Sequence, residues 1–389
     1  MPYTQVANLD FEDIKVALKE YLRSQSEFTD YDFEGSALST LIDTLAYNTY
    51  YTAFNTNMVV NELFIDSATL RDNVVAIAKQ LGYRPKSATA PTAYVSFNVT
   101  YGNPTTDTEL ILKKGTGFIS SYDNNVYQYV VTDDVKAQVV NDVATFTNVE
   151  VKEGTQLVNT FTVNTSLKSQ RFILDNQNID TNTIRVKVFP TGGSFSEPYL
   201  VADNILGVDG TSKVFFLDEI EDERYEILMG DGVLGKKLEN NARIEVSYLT
   251  TAGPESNGVR TFVFSGVLEN PNGVSPSSFT TSITSTTASA GGEEIESTQK
   301  IKYTAPKSYG TQDRAVTSQD YEAIVRQIYP ATSDIIIFGG EDQVPPEYGK
   351  VFISLKPKDA SYLTSLTKQS IIADLKKYVV ASVEPKLVD

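Results

Sequence analysis

The sequence predicts an α+β multidomain protein with an N-terminal helical bundle, a central antiparallel β-rich domain, and a C-terminal helical junction joined to a small ferredoxin-like α/β unit. Three observations carry this. Apolar residues recur at helical spacing up to about residue 90. They then alternate with polar residues, as in half-buried strands, up to about residue 264. After a Ser/Thr-rich tract, helical and strand patterns alternate to the end of the chain. The implied segments are 1–90, 91–292, 293–330 and 331–389.

In the first segment, Asp10 is placed to cap a helix whose stripe is Phe11, Ile14, Leu18, Tyr21 and Leu22. The stretch Glu27 to Ser36 interrupts it. A second helix starts near Ser36 and runs past Met58, with Leu38, Leu41, Ile42, Leu45 and Thr49 on one face and Tyr47, Tyr50, Tyr51, Phe54 and Met58 on another. A helix that is apolar on two faces must touch more than one neighbour. Asp66 or Ser67 is placed to cap a third helix containing Leu70, Val74, Ile77 and Leu81, with Gly82 as its stop and Pro85 beyond.

From Pro91 to Phe264, segments such as AYVSFNVTY, IRVKVFP and ARIEVSYL alternate between Gly, Asn and Asp turns. Ser275 to Ala290 reads as a linker or as a polar edge strand, and Phe279 and Ile283 imply that part of it packs. Two short helices separated by APKSYGTQDR are expected in the junction. Thr317 caps the second of them, with Asp320 completing a capping box and Tyr321, Ile324, Val325 and Ile328 on its apolar face. Strands at Asp334 to Gly340 and Lys350 to Pro357, a helix with Ile371, Leu375 and Val379, and a last strand at VEPKLVD give the order β-β-α-β of a split-βαβ unit. The chain ends as that strand begins, so further residues are expected beyond Asp389.

Composition narrows the chemistry. The 389 residues include 33 Lys+Arg and 50 Asp+Glu, a net charge of −17, and neither His nor Cys. Thiolate and imidazole mechanisms, disulfides, and the usual zinc and copper ligands are therefore absent. The acidic balance argues against a broad nucleic-acid surface. No apolar run reaches membrane-span length, and the N-terminus lacks signal-peptide character.

The motif candidates fail on their own requirements. Asp30, Asp32, Glu34 and Gly35 begin like a calcium loop, but the twelfth position, which must be a bidentate Glu, is Leu41. Gly230, Gly232 and Gly235 fit G-x-G-x-x-G, but a turn into a strand follows and Thr250 stands where an acid is needed. These glycines read as turn formers, and Asp231 as a turn residue. The run Asp218 to Arg224 reads as a solvated turn.

Three stretches carry a family pattern: residues 11–90, residues 225–264, and residues 291–330 followed by 338–357. Within them, the GDGxxG turn at Gly230, the Asn257-Gly258 turn, RAVT from Arg314 and DYE from Asp320 are the family marks. In these residues the chain resembles the baseplate wedge proteins of T4-like contractile-tailed phages, within the baseplate J-like family. The resemblance implies a structural subunit without catalytic residues, cofactor or metal. It implies a virion protein of the tail baseplate, assembled in the host cytoplasm. Partners would be a second copy and other wedge subunits, joined as a heterotrimer through the helical bundle, with sheath-initiating and tube-surrounding baseplate proteins beside them. Neither nucleic acid nor membrane would be a partner. Copies would form a ring around the tail tube and rearrange on sheath contraction. The expected bundle contacts are Phe11, Ile14, Leu18, Leu38, Leu41, Leu45, Tyr51, Phe54, Leu70, Val74 and Ile77, and those of a second junction are Arg314, Asp320 and Tyr321.

The competing class is a β-rich tail-associated hydrolase that cleaves host surface glycan with a carboxylate pair about 5–9.5 Å apart. A receptor-binding spike is a third class, but its long repeats are not visible.

Overall fold

The computed structural model describes residues 7, 10–25, 37–167, 169–202, 207–311, 314–329, 332–357, 363 and 365–388. The stretch Glu27 to Ser36, with the calcium-loop carboxylates Asp30, Asp32 and Glu34, lies outside the described residues. The chain is mixed α+β, with an N-terminal helical region and a β-rich remainder. It divides into two compact units, Met1–Pro85 with Ser297–Gln312, and Lys86–Glu296 with Asp313–Asp389.

The helical unit holds α1 (Phe11–Arg23), α2 (Ala37–Glu62), α3 (Arg71–Gln80) and α4 (Thr298–Thr311). Asp10 caps α1 as expected, its carboxylate accepting from the Glu12 and Asp13 amides at 2.9 and 3.1 Å. Helix α3 starts later than the spacing suggests. Leu70 is its extended N-cap and Leu81 its C-cap, so neither Asp66 nor Ser67 caps it. Gly82 ends α3 with φ +80°, and the amides of Gly82 and Tyr83 donate back to Lys79 and Ala78. This double closure needs a residue that tolerates positive φ.

The junction differs most from expectation. Helix α4 continues through Ala305 and Pro306 to Thr311 instead of stopping before APKSYG. Its Ile301 and Ala305 are buried with Ala68, Val74, Val75, Ala78 and Tyr83 in one small core. Contact with α3 thus gives this helix the private apolar partner that its own sequence lacks.

The second unit begins with β1 (Thr92–Tyr101), β2 (Glu109–Leu112), β3 (Gly117–Tyr122), β4 (Asn125–Val130), β5 (Val135–Val140) and β6 (Val143–Glu153). A separate sheet follows, made of β7 (Thr155–Thr162), β8 (Phe172–Leu174), β9 (Ile179–Phe189), β10 (Glu197–Val201), β11 (Val214–Ile220), β12 (Arg224–Met229) and β13 (Arg243–Thr250). Short strands β14 (Val263–Phe264) and β15 (Leu268–Glu269), then β16 (Phe279–Thr286), return to the first sheet. The expected single β domain therefore has two cores. One is centred on Phe97, which stacks on Phe146 at 4.6 Å and meets Phe118 edge-on at 5.3 Å. The other gathers Phe215, Ile227, Ile244, Val246 and Tyr248. The Ser/Thr tract is an edge strand. β16 pairs antiparallel with β1 and is largely exposed, while Ile283 packs on the first core.

Buried carboxylates tie the connections of this unit. Asp180 is fully buried and accepts from the Ala90 amide at 3.1 Å and the Asn182 amide at 3.0 Å. Glu153 accepts from the Thr251 hydroxyl at 2.6 Å and the Ala252 amide at 3.0 Å. These bonds favour its charged form, but burial outweighs them and raises its pKa above the usual value. The Asn257 side chain and the Gly292 backbone exchange two hydrogen bonds, each 3.0 Å long.

The C-terminal part holds α5 (Ser318–Ile328), β17 (Thr332–Gly339), β18 (Lys350–Pro357), α6 (Ser365–Leu375) and β19 (Glu384–Val388). The Thr317–Asp320 capping box forms as predicted. Val379 lies beyond α6 and bridges to Ala315 instead of extending the helix. A split βαβ needs a strand between its parallel pair, whereas β18 and β19 pair directly. The ferredoxin-like expectation therefore gives way to an adjacent βαβ preceded by an antiparallel β17.

A carboxyl whose pKa is raised by folding stabilises the fold below its unfolded value and withdraws that stability as pH rises through the folded value. Thermal melts of Glu153→Gln and the parent should therefore diverge in the variant's favour as pH rises above about 4.5. A difference independent of pH would rule out this role for Glu153.

Candidate subunit interface

Among the described residues, the helical unit exposes many large apolar side chains. Helix α2 encloses only Ser39, Ile42, Ala46, Asn57 and Asn61. Helical spacing sets Leu41, Leu45 and Val59 in one exposed stripe and Tyr47, Tyr51, Phe54 and Met58 in another, with Thr44, Asn48 and Asn55 between them. Leu41 is 55 % exposed and Phe54 46 %, in positions where isolated solvent contact does not explain a whole row. Leu38 is half-buried.

Several hydroxyl groups of α2 are already engaged within the chain. Hydroxyls of Thr44, Thr49, Thr52 and Thr56 each donate to the carbonyl four residues earlier, at 2.8–2.9 Å. The Tyr47 and Tyr51 hydroxyls lie 3.0 Å apart, and this contact raises the Tyr47 pKa. Such a face can leave water without stranding these donors.

Helix α1 lies against α2. Its Phe11, Ile14 and Leu18 are half-buried, none of its residues is fully buried, and Lys15 pairs with Asp43 at 2.7 Å. The Asn57 amide group exchanges two 3.0 Å bonds with the Ala7 backbone.

The structure separates the remaining candidates. Leu70 is exposed beside α3, but Val74 is fully buried in the α3–α4 core and Ile77 packs against it. Tyr321 is enclosed in the core of the C-terminal part, and burial raises its pKa. Val74 and Tyr321 thus spend their apolar surface inside this chain and present none to a partner. Asp320 is engaged in the capping box, and Arg314 is exposed. Sequence reasoning missed Val59, Leu63 and Phe64, which extend the exposed apolar surface at the end of α2. The run MVVNELF was the available signal.

The corner between α2 and α3 is set by Glu62. Its carboxylate accepts from the Thr69 amide at 2.8 Å, the Thr69 hydroxyl at 2.6 Å, the Leu70 amide at 3.3 Å and the Asn73 side chain at 2.8 Å. Partial desolvation alone would raise its pKa, but these donors bring it down to about 2.

The GDGxxG segment is a turn closed on its own backbone. The Asp231 carboxylate accepts from its own Val233 and Leu234 amides, both at 2.8 Å. A side chain at Gly230 would meet the Gly235 backbone at 2.2 Å. The Asp218 to Arg224 run turns at Asp222 and Glu223, both with positive φ and Asp222 exposed. Among the described residues, no group of three or more acidic side chains is arranged to hold a metal, and no helix is long and apolar enough to cross a membrane.

Residues 10–83 match the family model for the helical domain of gp6-like baseplate wedge proteins, and residues 317–388 match that for C-terminal domain I of the baseplate structural protein gp6. Over 396 aligned positions the chain is 28 % identical to the baseplate wedge protein gp6 of Enterobacteria phage T4. The chain is similar to phage baseplate wedge proteins. That alignment takes in 97 % of the chain and 58 % of the T4 protein, so the chain spans little more than half of its relative's length. Two solved assemblies overlap it loosely. One is the baseplate of the anti-feeding prophage, at 13 % identity over 99 % of this chain and 80 % of that one, with a TM-score of 0.32. The other is the TssK-TssF-TssG baseplate subcomplex of a type VI secretion system, at 6 % identity over 89 % of this chain and 96 % of that one, with a TM-score of 0.38. At those TM-scores the overlaps carry no argument about this chain.

A carboxyl whose pKa is lowered by folding stabilises the fold above its unfolded value and loses that contribution as pH falls through the folded value. Glu62→Gln should therefore destabilise the helical unit by about 1 kcal/mol at neutral pH. The gap to the parent should close as pH falls from about 4.5 towards about 2. Helix content followed by circular dichroism during melting reads both effects.

Proposed function

We propose that this chain is a structural subunit of the tail baseplate of a contractile-tailed phage, and that the outer face of α2, with α1 beside it, is its main subunit interface. The observation that carries the proposal is the pair of exposed apolar stripes on a helix whose threonine hydroxyls are already engaged. Two stripes flanking a polar strip suit two neighbouring helices better than one, which fits a heterotrimeric core bundle. The matches of both terminal regions to gp6-type domains support the same reading. Phe11, Ile14, Leu18, Leu38, Leu41, Leu45, Tyr51, Phe54, Leu70 and Ile77 remain as contact residues, and Val59, Leu63 and Phe64 join them. Arg314 and Asp320 are placed in a second junction. The proposal extends to the baseplate J-like family, to a ring of copies around the tube that rearranges on contraction, and to contacts with sheath-initiating and tube-surrounding proteins. The role is scaffolding, without catalysis, nucleic acid or membrane.

Leu45→Asp combined with Phe54→Asp places two charges on this face without touching either β core. The expected result is loss of at least about 2 kcal/mol, near thirtyfold in affinity, for the co-expressed neighbouring baseplate subunit. Unchanged co-purification, with the variant's β-sheet signal intact, would overturn the proposal.

A further inference from the structure

An asparagine or aspartate followed by glycine can close a succinimide ring with its neighbour's amide nitrogen. Glycine allows this best, because it has no Cβ in the way and its backbone turns freely. The sequence holds four such pairs, Asp209-Gly210, Asp231-Gly232, Asn257-Gly258 and Asn272-Gly273. Three of them are locked by the fold. The Asp209 carboxylate accepts from the Thr211 amide and hydroxyl and the Ser212 hydroxyl at 2.8–2.9 Å. The Asp231 carboxylate is held by the amides of its own turn. These donors keep both groups ionised, and an ionised carboxylate resists attack by a nitrogen. The Asn257 side chain is pinned at both ends to the Gly292 backbone. The Gly258 amide donates at 2.8 Å to the carbonyl of Ser289, which is itself buried. Ring closure at Asn257 would break all three of these bonds.

The fourth pair is open. It lies in the connection between β15 and β16, in a turn organised by Asn270. The Asn270 side-chain oxygen accepts from the Asn272 and Val274 amides at 3.0 and 2.9 Å, and its amide group donates to Asp107 at 3.0 Å. Pro271, Asn272, Gly273 and Val274 are all exposed. The Asn272 side chain makes no hydrogen bond among the described residues. Gly273 has φ +76°, and the space where its Cβ would stand is empty to 4 Å. Its amide donates only to the Asn270 carbonyl of the same turn, at 2.9 Å. Freeing that nitrogen opens one exposed turn and disturbs neither β core.

We propose that Asn272 is a site of spontaneous deamidation in the folded protein, with water as the only co-reactant. The Gly273 nitrogen loses its proton to solvent base and attacks Cγ of Asn272. The new N–Cγ bond closes the succinimide, the Cγ–Nδ2 bond breaks, and the nitrogen leaves as ammonia after taking a proton from solvent. Water then opens the ring at one carbonyl or the other and leaves aspartate or isoaspartate at position 272. Nothing is oxidised or reduced. Either product adds a negative charge to a chain already at −17. Isoaspartate also routes the main chain through Cβ and Cγ, one atom longer, so the Gly273 and Val274 amides lose their alignment with the Asn270 acceptors.

The test holds the full-length chain in mildly alkaline buffer for several days and follows its tryptic peptides by mass spectrometry. Cleavage after Arg243, Arg260 and Lys300 puts Asn257 and Asn272 on separate peptides, each also free of the two Asp-Gly pairs. The peptide with Asn272 should gain one mass unit and divide into two chromatographic species, aspartate and isoaspartate. It should do so at least about tenfold faster than the peptide with Asn257, whose ring closure must first break three hydrogen bonds. In strong denaturant, where neither asparagine is held, the two should convert at similar rates. Gly273→Ala, whose Cβ obstructs the attack, should slow conversion at Asn272 about tenfold. Conversion at Asn257 as fast as at Asn272 in the folded chain, or a rate at Asn272 indifferent to Gly273→Ala, would overturn the proposal. So would an Asn272 that stays intact in the folded chain while the denatured chain converts.

Discussion

Among the described residues, the fully buried apolar core of the helical unit is small and centres on Ile301 and Ala305 of α4 against Val74, Val75 and Ala78 of α3. Every other large side chain of these helices is half-buried or exposed, apart from Ile42 and Tyr83. That constraint explains much of the rest. Helix α2 buries small and polar residues on its inner side, so its leucines and aromatics face outward. At the corner, where Ala68 and Ile65 join that core, α2 and α3 are also tied by a carboxylate accepting four hydrogen bonds. A unit built this way has little apolar core of its own, and in the proposed assembly partner surface would supply further burial.

The β part is built on the opposite plan. Its two sheets have separate cores, and the carboxylates of Asp180 and Glu153, buried in its connections, accept hydrogen bonds within the chain. Core burial is therefore concentrated in the β part, and the proposed assembly surface lies in the part with little core. Mutations in the two parts should accordingly have different phenotypes, misfolding in one and failed association in the other.

Local features were legible in the sequence. The Asp10 cap, the Gly82 stop and the Thr317–Asp320 capping box each depend on a few adjacent residues. The two apolar faces that carry Leu41, Leu45, Tyr51 and Phe54 were legible as well, but packing on the rest of the chain would explain them equally, and only the folded chain shows them exposed. What escaped depends on distant partners. Helix α4 runs through Pro306 because α3, more than two hundred residues away in sequence, packs against it. Val74 and Tyr321 carry the same apolar signature as contact residues, and only the folded chain places them inside. The direct β18–β19 pairing is likewise invisible to periodicity, which reports strands but not their neighbours.

The discontinuity of the helical unit has a temporal consequence. About 210 residues, 86–296, are synthesised between α3 and the segment that completes its core. At about 5–20 residues per second, roughly ten to forty seconds separate the emergence of the first three helices from that of α4. Throughout that interval the apolar rows of α2 are on the ribosome without the chain's own last contribution. A neighbouring subunit or a chaperone that binds nascent chains has its best opportunity then, so the order of gene expression can decide whether this protein assembles or aggregates.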